Sequence, residues 1–83
     1  MSRLTEGQLI GLANVAHLIE QRYPSIDAQS IADSADIARS GRRHNGILPG
    51  EAMERCLRVI ERCRLTWAHG RGWVVPFDRA VRS

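Results

Sequence analysis

The chain has 83 residues, and this length predicts a single domain over residues 1–83. Apolar residues make up 43% of it and charged residues 25%, a composition typical of globular domains that excludes a disordered chain. No apolar run approaches the length of a membrane span, and the first ten residues do not have the pattern of a signal peptide. These features predict a cytoplasmic protein.

Charge is distributed unevenly along the chain. Residues 1–38 carry two arginines against five acidic residues, a net charge of −3, whereas residues 39–83 carry ten arginines against four, a net charge of +6. Lysine is absent, and guanidinium groups make planar, bidentate contacts with phosphate and guanine. The basic half predicts an anionic partner on that side, the alternative being a solvated, charged surface.

The first predicted helix covers residues 5–22. Thr5 and Gln8 have the spacing of a capping box, and Pro24 predicts that the helix ends before it. Its apolar residues follow a three-four spacing along one stripe. Three further apolar residues lie off that stripe: Ile10, Val15 and Leu18. So much apolar surface predicts either a central position in the fold or a homodimer interface along this helix.

The second predicted helix covers residues 27–39, with Asp27 as its N-cap and Gly41 just after its end. Its apolar stripe consists mostly of small side chains: Ala28, Ile31, Ala32, Ala35 and Ala38. Small side chains allow another helix to approach closely. A polar, basic loop follows, and its Asn-Gly pair predicts a turn.

The third predicted helix covers residues 49–63 and begins with a proline, which suits a first helical turn. Its buried stripe is predicted as Met53, Cys56, Leu57, Ile60 and Cys63. Three arginines lie on the opposite side: Arg55, Arg58 and Arg62. Glu51 and Glu54 stand four residues before Arg55 and Arg58, a spacing that favours intrahelical ion pairs. This side is therefore predicted either to contact nucleic acid or to be a solvated, charged face.

The two cysteines fall in that apolar stripe, two helical turns apart, which predicts reduced core thiols. Cys56, Cys63 and His69 do not have the spacing of a structural zinc site. The chain has no glycine loop for phosphate, no paired carboxylates and no arrangement typical of a catalytic triad. The sequence predicts no metal, no cofactor and no enzymatic activity.

A short hairpin is predicted over residues 64–77, with its turn at residues 69–72 and Arg71 at the tip. Trp67 and Trp73 stand nearly opposite each other across the hairpin. Stacking on unpaired bases is one use for such residues. Mutual packing that stabilises a small sheet is the more common use, and we favour it.

The helix and hairpin together resemble the ending of a winged helix-turn-helix domain, a family of bacterial and phage DNA-binding proteins. The run over residues 57–65 and the glycine-flanked tip Gly70-Arg71-Gly72-Trp73 carry the resemblance. It implies a three-helix core with a two-stranded sheet, duplex DNA as ligand, and a role in transcription regulation. Helix 49–63 would enter the major groove and the hairpin would reach an adjacent groove or the backbone. The residues expected to bind DNA are Arg42, Arg43, Arg55, Arg58, Arg62 and Arg71.

One departure from that family lies between the second and third helices. The turn of the motif is usually three or four residues long, whereas residues 40–48 intervene here. The loop is expanded, or Ile47 and Leu48 add a strand or helical turn, or the similarity is one of architecture alone.

A second hypothesis is an interaction protein. Compact, arginine-rich domains of this size are also typical of phage or mobile-element inhibitors, including anti-CRISPR proteins. The acidic stretch over residues 20–36 would then be the binding surface, and its carboxylates would mimic the phosphate groups that a basic host protein binds.

Overall fold

A computed structural model describes residues 3–76 as a mainly helical domain with a two-stranded antiparallel hairpin. Its elements are α1 (Glu6–Asn14), α2 (Ala16–Arg22), α3 (Ala28–Ser40), α4 (Pro49–Cys63), β1 (Thr66–Ala68) and β2 (Gly72–Val74). This confirms the predicted class of small helical domain with a hairpin. Phe77, the last residue of the predicted hairpin, lies outside the described residues.

The first predicted helix is interrupted, so the described part of the chain has four helices where three were expected. Thr5 forms the predicted capping box with Gln8. The interruption is at Val15, whose backbone angles (φ −101°, ψ 7°) leave the helical range. The apolar spacing continues across this residue, so the sequence carries no break signal. Both segments pack on α3.

Helix α3 lies at the centre of the helical part and contacts α1, α2 and α4. Asp27 caps it by accepting a hydrogen bond of 3.0 Å from the backbone N–H of Ser30, and Gly41 ends it in the left-handed conformation (φ 71°), both as predicted. Its buried residues are Ile31, Ser34, Ala35, Ile37 and Ala38. These mostly small side chains allow neighbouring helices to pack closely on several sides.

Helix α1 lies between α3 and β2, which accounts for much of its apolar surface. Val15 and Leu18, which lie off its predicted stripe, are half-buried against the core. Ile10 is 44% exposed. These contacts agree with the expected central position, and the homodimer along this helix stays a prediction.

The loop between α3 and α4 contains a tight two-residue turn. The backbone N–H groups of His44 and Ile47 donate to each other's carbonyl oxygens at 3.1 and 3.0 Å. Asn45 and Gly46, between them, both have positive φ angles, 52° and 79°. Paired positive angles suit Asn-Gly in a hairpin turn. The extra residues of this loop therefore form an expansion closed by backbone hydrogen bonds.

Helix α4 has the predicted bounds, and its buried residues are Ala52, Met53, Cys56 and Cys63. Leu57 and Ile60, from the predicted stripe, are half-buried. Both cysteines are free and buried, as predicted. Burial raises the pKa of the Cys56 thiol to about 11 and raises that of Cys63, the latter against the opposing influence of the Arg62 charge.

The hairpin is held against α1 by its two tryptophans. Trp67 pairs with Trp73 in the strand register, and their rings meet edge to face with centroids 5.1 Å apart. The Trp73 Nε1 donates a hydrogen bond of 2.8 Å to the Gln8 carbonyl. Gly11 leaves room for the rings, since a Cβ there would lie 3.2 Å from Trp67 Cζ3. The tryptophans thus pack within the fold, the use that we favoured.

Candidate nucleic-acid interface

The start of α3 and one side of α4 enclose an open groove of about 390 Å³. Its α4 side carries all three arginines predicted on that helix: Arg55, Arg58 and Arg62. The segment leading into α3, and its first turns, contribute polar residues: Ser25, Asp27, Ser30 and Ser34. Between them lie the apolar residues Ile26, Ile31, Cys56 and Val59. The fold therefore brings three guanidinium groups to one concave surface.

The three arginines differ in how they are paired. The Arg55 Nη2 lies 3.3 Å from the Glu51 Oε2, and the two side chains are 42% and 52% exposed. An exposed pair of this kind contributes roughly 0–1 kcal/mol, so it is easily exchanged for another anion. The second predicted pair, between Glu54 and Arg58, is not among the ion pairs formed within residues 3–76.

Two of the three glutamates of α4 are separated from the groove, whereas Glu51 lies beside it through its ion pair with Arg55. Glu54 and Glu61 are exposed and border a different depression, together with Leu57 and Ile60. Arg58 borders both surfaces. Arg55, Arg58 and Arg62 therefore form an arginine edge beside α3, and Glu54 and Glu61 form a glutamate edge that borders the other depression.

The α3 side of the groove was not predicted from the sequence. Asp27, Ser30 and Ser34 recur at helical spacing, which places them on one face of α3. Asp27 supplies a carboxylate that also caps the helix, while Ser34 is only 3% exposed. Their spacing indicates a shared face, but the arginines beside that face come from a helix more than twenty positions later. Only helix packing brings the two together.

Arg42 and Arg43 lie elsewhere, in a second groove at the end of α3 that also measures about 390 Å³. Asp33 and Asp36 line the same groove. Arg39 lines it too, so its formal charge is +1 from three arginines and two acids, which makes it a weaker surface for an anion than the groove beside α4, where three arginines meet one acid. The six predicted arginines are therefore not brought together in one place.

Arg71 is exposed in the turn between β1 and β2 and lines neither groove. Gly70 and Gly72, on either side of it, have positive φ angles of 82° and 85°, as the predicted turn requires. The position of this tip is set by the packing of the hairpin on α1.

Among residues 3–76, no group of three or more His, Cys, Asp or Glu side chains is placed to share a metal ion. None of the helices in that range combines the length and the apolar character that a bilayer crossing requires. Comparisons of the chain with protein-family models, with curated proteins and with solved structures found no match.

Proposed function

We propose that this protein binds duplex DNA through the arginine edge of α4. The observation that carries the proposal is the convergence of Arg55, Arg58 and Arg62 on one open groove, with Glu54 and Glu61 bordering a different depression. The groove also contains the Asp27 carboxylate, so its formal charge is +2 from three arginines and one acid. A concave surface of this charge attracts phosphate groups.

The charge of the whole chain supports an anionic ligand. The net charge is +3, and residues 39–83, which include α4 and the hairpin, have a net charge of +6. Arg71, exposed at the hairpin tip, adds a further cationic group. DNA is long enough to meet separated basic groups at the same time. We therefore favour it over a small anion.

The alternative of a phosphate-mimicking inhibitor draws less support from the arrangement of the acidic residues. Asp36 forms an ion pair of 3.6 Å with Arg39, and Asp33 accepts a hydrogen bond of 2.9 Å from Gln29. Both aspartates share their groove with Arg42 and Arg43. An effective mimic of nucleic acid needs an acidic surface without interspersed cations, and this part of the chain is mixed.

The proposal is tested by fluorescence anisotropy with a labelled random-sequence duplex over a range of salt concentrations. We expect binding at low salt, with a logarithmic salt slope of roughly −3 if three arginines contact phosphate. Arg55→Ala, Arg58→Ala and Arg62→Ala should each weaken binding and reduce the slope by about one. The predicted homodimer is checked in parallel by measuring the solution mass.

Arg43→Ala is the matched control, because it removes the same charge from outside the groove. It should change affinity less than the three α4 variants do. Absence of binding to any duplex at low salt would refute the proposal. Equal losses for all four variants would show that net charge, and not this groove, determines affinity.

A further inference from the structure

The outermost side of α4 is acidic. Successive residues of an α-helix are rotated by about 100° about its axis. The direction opposite the four buried residues of α4 therefore falls between Glu54 and Arg58, and each of these two residues lies about 20° from it. Glu51 and Glu61 follow at about 40°. All four side chains are exposed. The part of the helix that points farthest from the core therefore carries three carboxylates and one guanidinium group.

The other two arginines are rotated away from this outermost side and towards α3. Arg62 lies about 60° from the centre of the outer side and Arg55 about 80° from it. The half-burial of Arg55 agrees with a position at the edge of the helix. Only Arg58 belongs to both the outer side and the groove.

We infer that this protein binds the sugar-phosphate backbone of DNA through the arginine edge of α4, and that this binding is independent of base sequence. The inference rests on the proposed function and specifies its mode of recognition. It departs from the winged-helix expectation, in which α4 enters the major groove and reads bases.

The carboxylates on its outer side make insertion of α4 into the major groove unfavourable. The groove is about 12 Å wide, and a helix with its side chains is about 10–12 Å across, so an inserted helix has phosphates close on both sides. If the three arginines face the floor of the major groove, the helical angles place Glu51 among them, towards the base edges, and Glu54 and Glu61 towards one phosphate strand. Repulsion between carboxylates and phosphates opposes this arrangement.

Docking through the groove beside α3 reduces that repulsion, which there comes from Asp27 and from Glu51 beside Arg55. A backbone strand lying there meets three guanidinium groups, one of them shared with Glu51, while Glu54 and Glu61 border the other depression. Ser25 and Ser30, both exposed, supply hydroxyl donors of the kind that commonly contact phosphate. Such contacts fix the position of the protein on the duplex but carry no direct sequence information.

The inference is tested by two measurements on the full chain. The first selects bound duplexes from a randomised pool and sequences them, and it should yield no enriched motif. The second compares Arg58→Lys and Arg62→Lys with the corresponding alanine variants in the anisotropy assay. Lysine keeps the charge that attracts phosphate but lacks the planar fork through which arginine makes bidentate contacts. We expect each lysine variant to stay within about threefold of the parent affinity, since the charge is retained.

The outcomes separate this inference from the proposed function. A reproducible motif that binds about a thousandfold or more above random sequence would overturn sequence-independent binding and leave DNA binding intact. So would a loss of roughly tenfold or more in Arg58→Lys that occurs on a selected sequence but not on random-sequence duplex, since that difference indicates a base contact. No binding of the parent chain to any duplex would refute both. Tryptophan fluorescence and circular dichroism confirm that each variant is folded.

Discussion

The indole nitrogen of Trp73 donates a hydrogen bond of 2.8 Å to the backbone carbonyl of Gln8, 65 positions earlier in the chain. This bond joins β2 to α1, and the ring of Trp73 is buried beside it. Trp67 meets the same ring from the opposite strand. The position of the hairpin, and of Arg71 at its tip, therefore depends in part on this aromatic pair and its hydrogen bond to the first helix, together with the hydrogen bond that the Arg22 guanidinium donates to the Val75 carbonyl.

Replacing Trp73 with phenylalanine removes this hydrogen bond and part of the edge-to-face contact. The free energy of unfolding should fall by about 1–2 kcal/mol, measured by urea denaturation followed by circular dichroism. Trp67→Phe is the control, because Trp67 is half-buried and makes no such bond within the described residues. The free energy of unfolding should fall by less in Trp67→Phe than in Trp73→Phe. Equal decreases would contradict the role assigned to the hydrogen bond.

Gly11 is required for the approach of the hairpin to α1. A Cβ at this position would lie 3.2 Å from Trp67 Cζ3 and 3.4 Å from Trp73 Cδ1. Gly11→Leu should therefore destabilise the protein by about 1–3 kcal/mol and alter the tryptophan emission spectrum. Gly7→Leu places the same side chain in the first turn of α1, where the nearest atom to a Cβ is 4.0 Å away, and should leave the spectrum unchanged. An unaltered spectrum in Gly11→Leu would show that the hairpin can dock without this close contact.

Stability should decrease at alkaline pH because of the buried thiols. Burial raises the pKa of Cys56 from 9.0 to about 11, so the folded chain retains a proton that the unfolded chain loses. The contribution of the protonated Cys56 thiol to the free energy of unfolding is complete below about pH 9 and is lost as the pH rises to about 11. Urea denaturation across this range should show a smaller decrease for Cys56→Ala than for the parent. Equal decreases would assign the effect to other groups.

Asp27 places a carboxylate in the groove that we propose for DNA, and it also caps α3. Asparagine caps a helix about as well as aspartate but carries no charge. Asp27→Asn should therefore increase DNA affinity by a few fold at low salt with little change in stability. Asp33→Asn, which removes the same charge outside this groove, should have a smaller effect in the anisotropy assay. Equal gains for the two variants would show that the Asp27 carboxylate has no special influence on the ligand.

Local rules predicted most of the element boundaries. Thr5, Asp27 and Gly41 act through hydrogen bonds and backbone angles that involve only neighbouring residues, so their positions can be read along the chain. Helix α4 has its predicted bounds for the same reason, since a proline begins it and an apolar stripe defines its buried side. The break at Val15 escaped this reasoning, because the apolar spacing is the same on both sides of it.

The sequence by itself determined the helical class, the hairpin, the buried thiols and the presence of three arginines on one helix. Tertiary structure decided which surface those arginines share. Helical spacing gives the angle between Arg55 and Glu54 but not the neighbour that each one faces. That neighbour is set by the packing of α4 on α3, a contact between segments distant in sequence. The same packing leaves Arg42 and Arg43 beside Asp33 and Asp36, so that arginines close in sequence to α4 line a different groove.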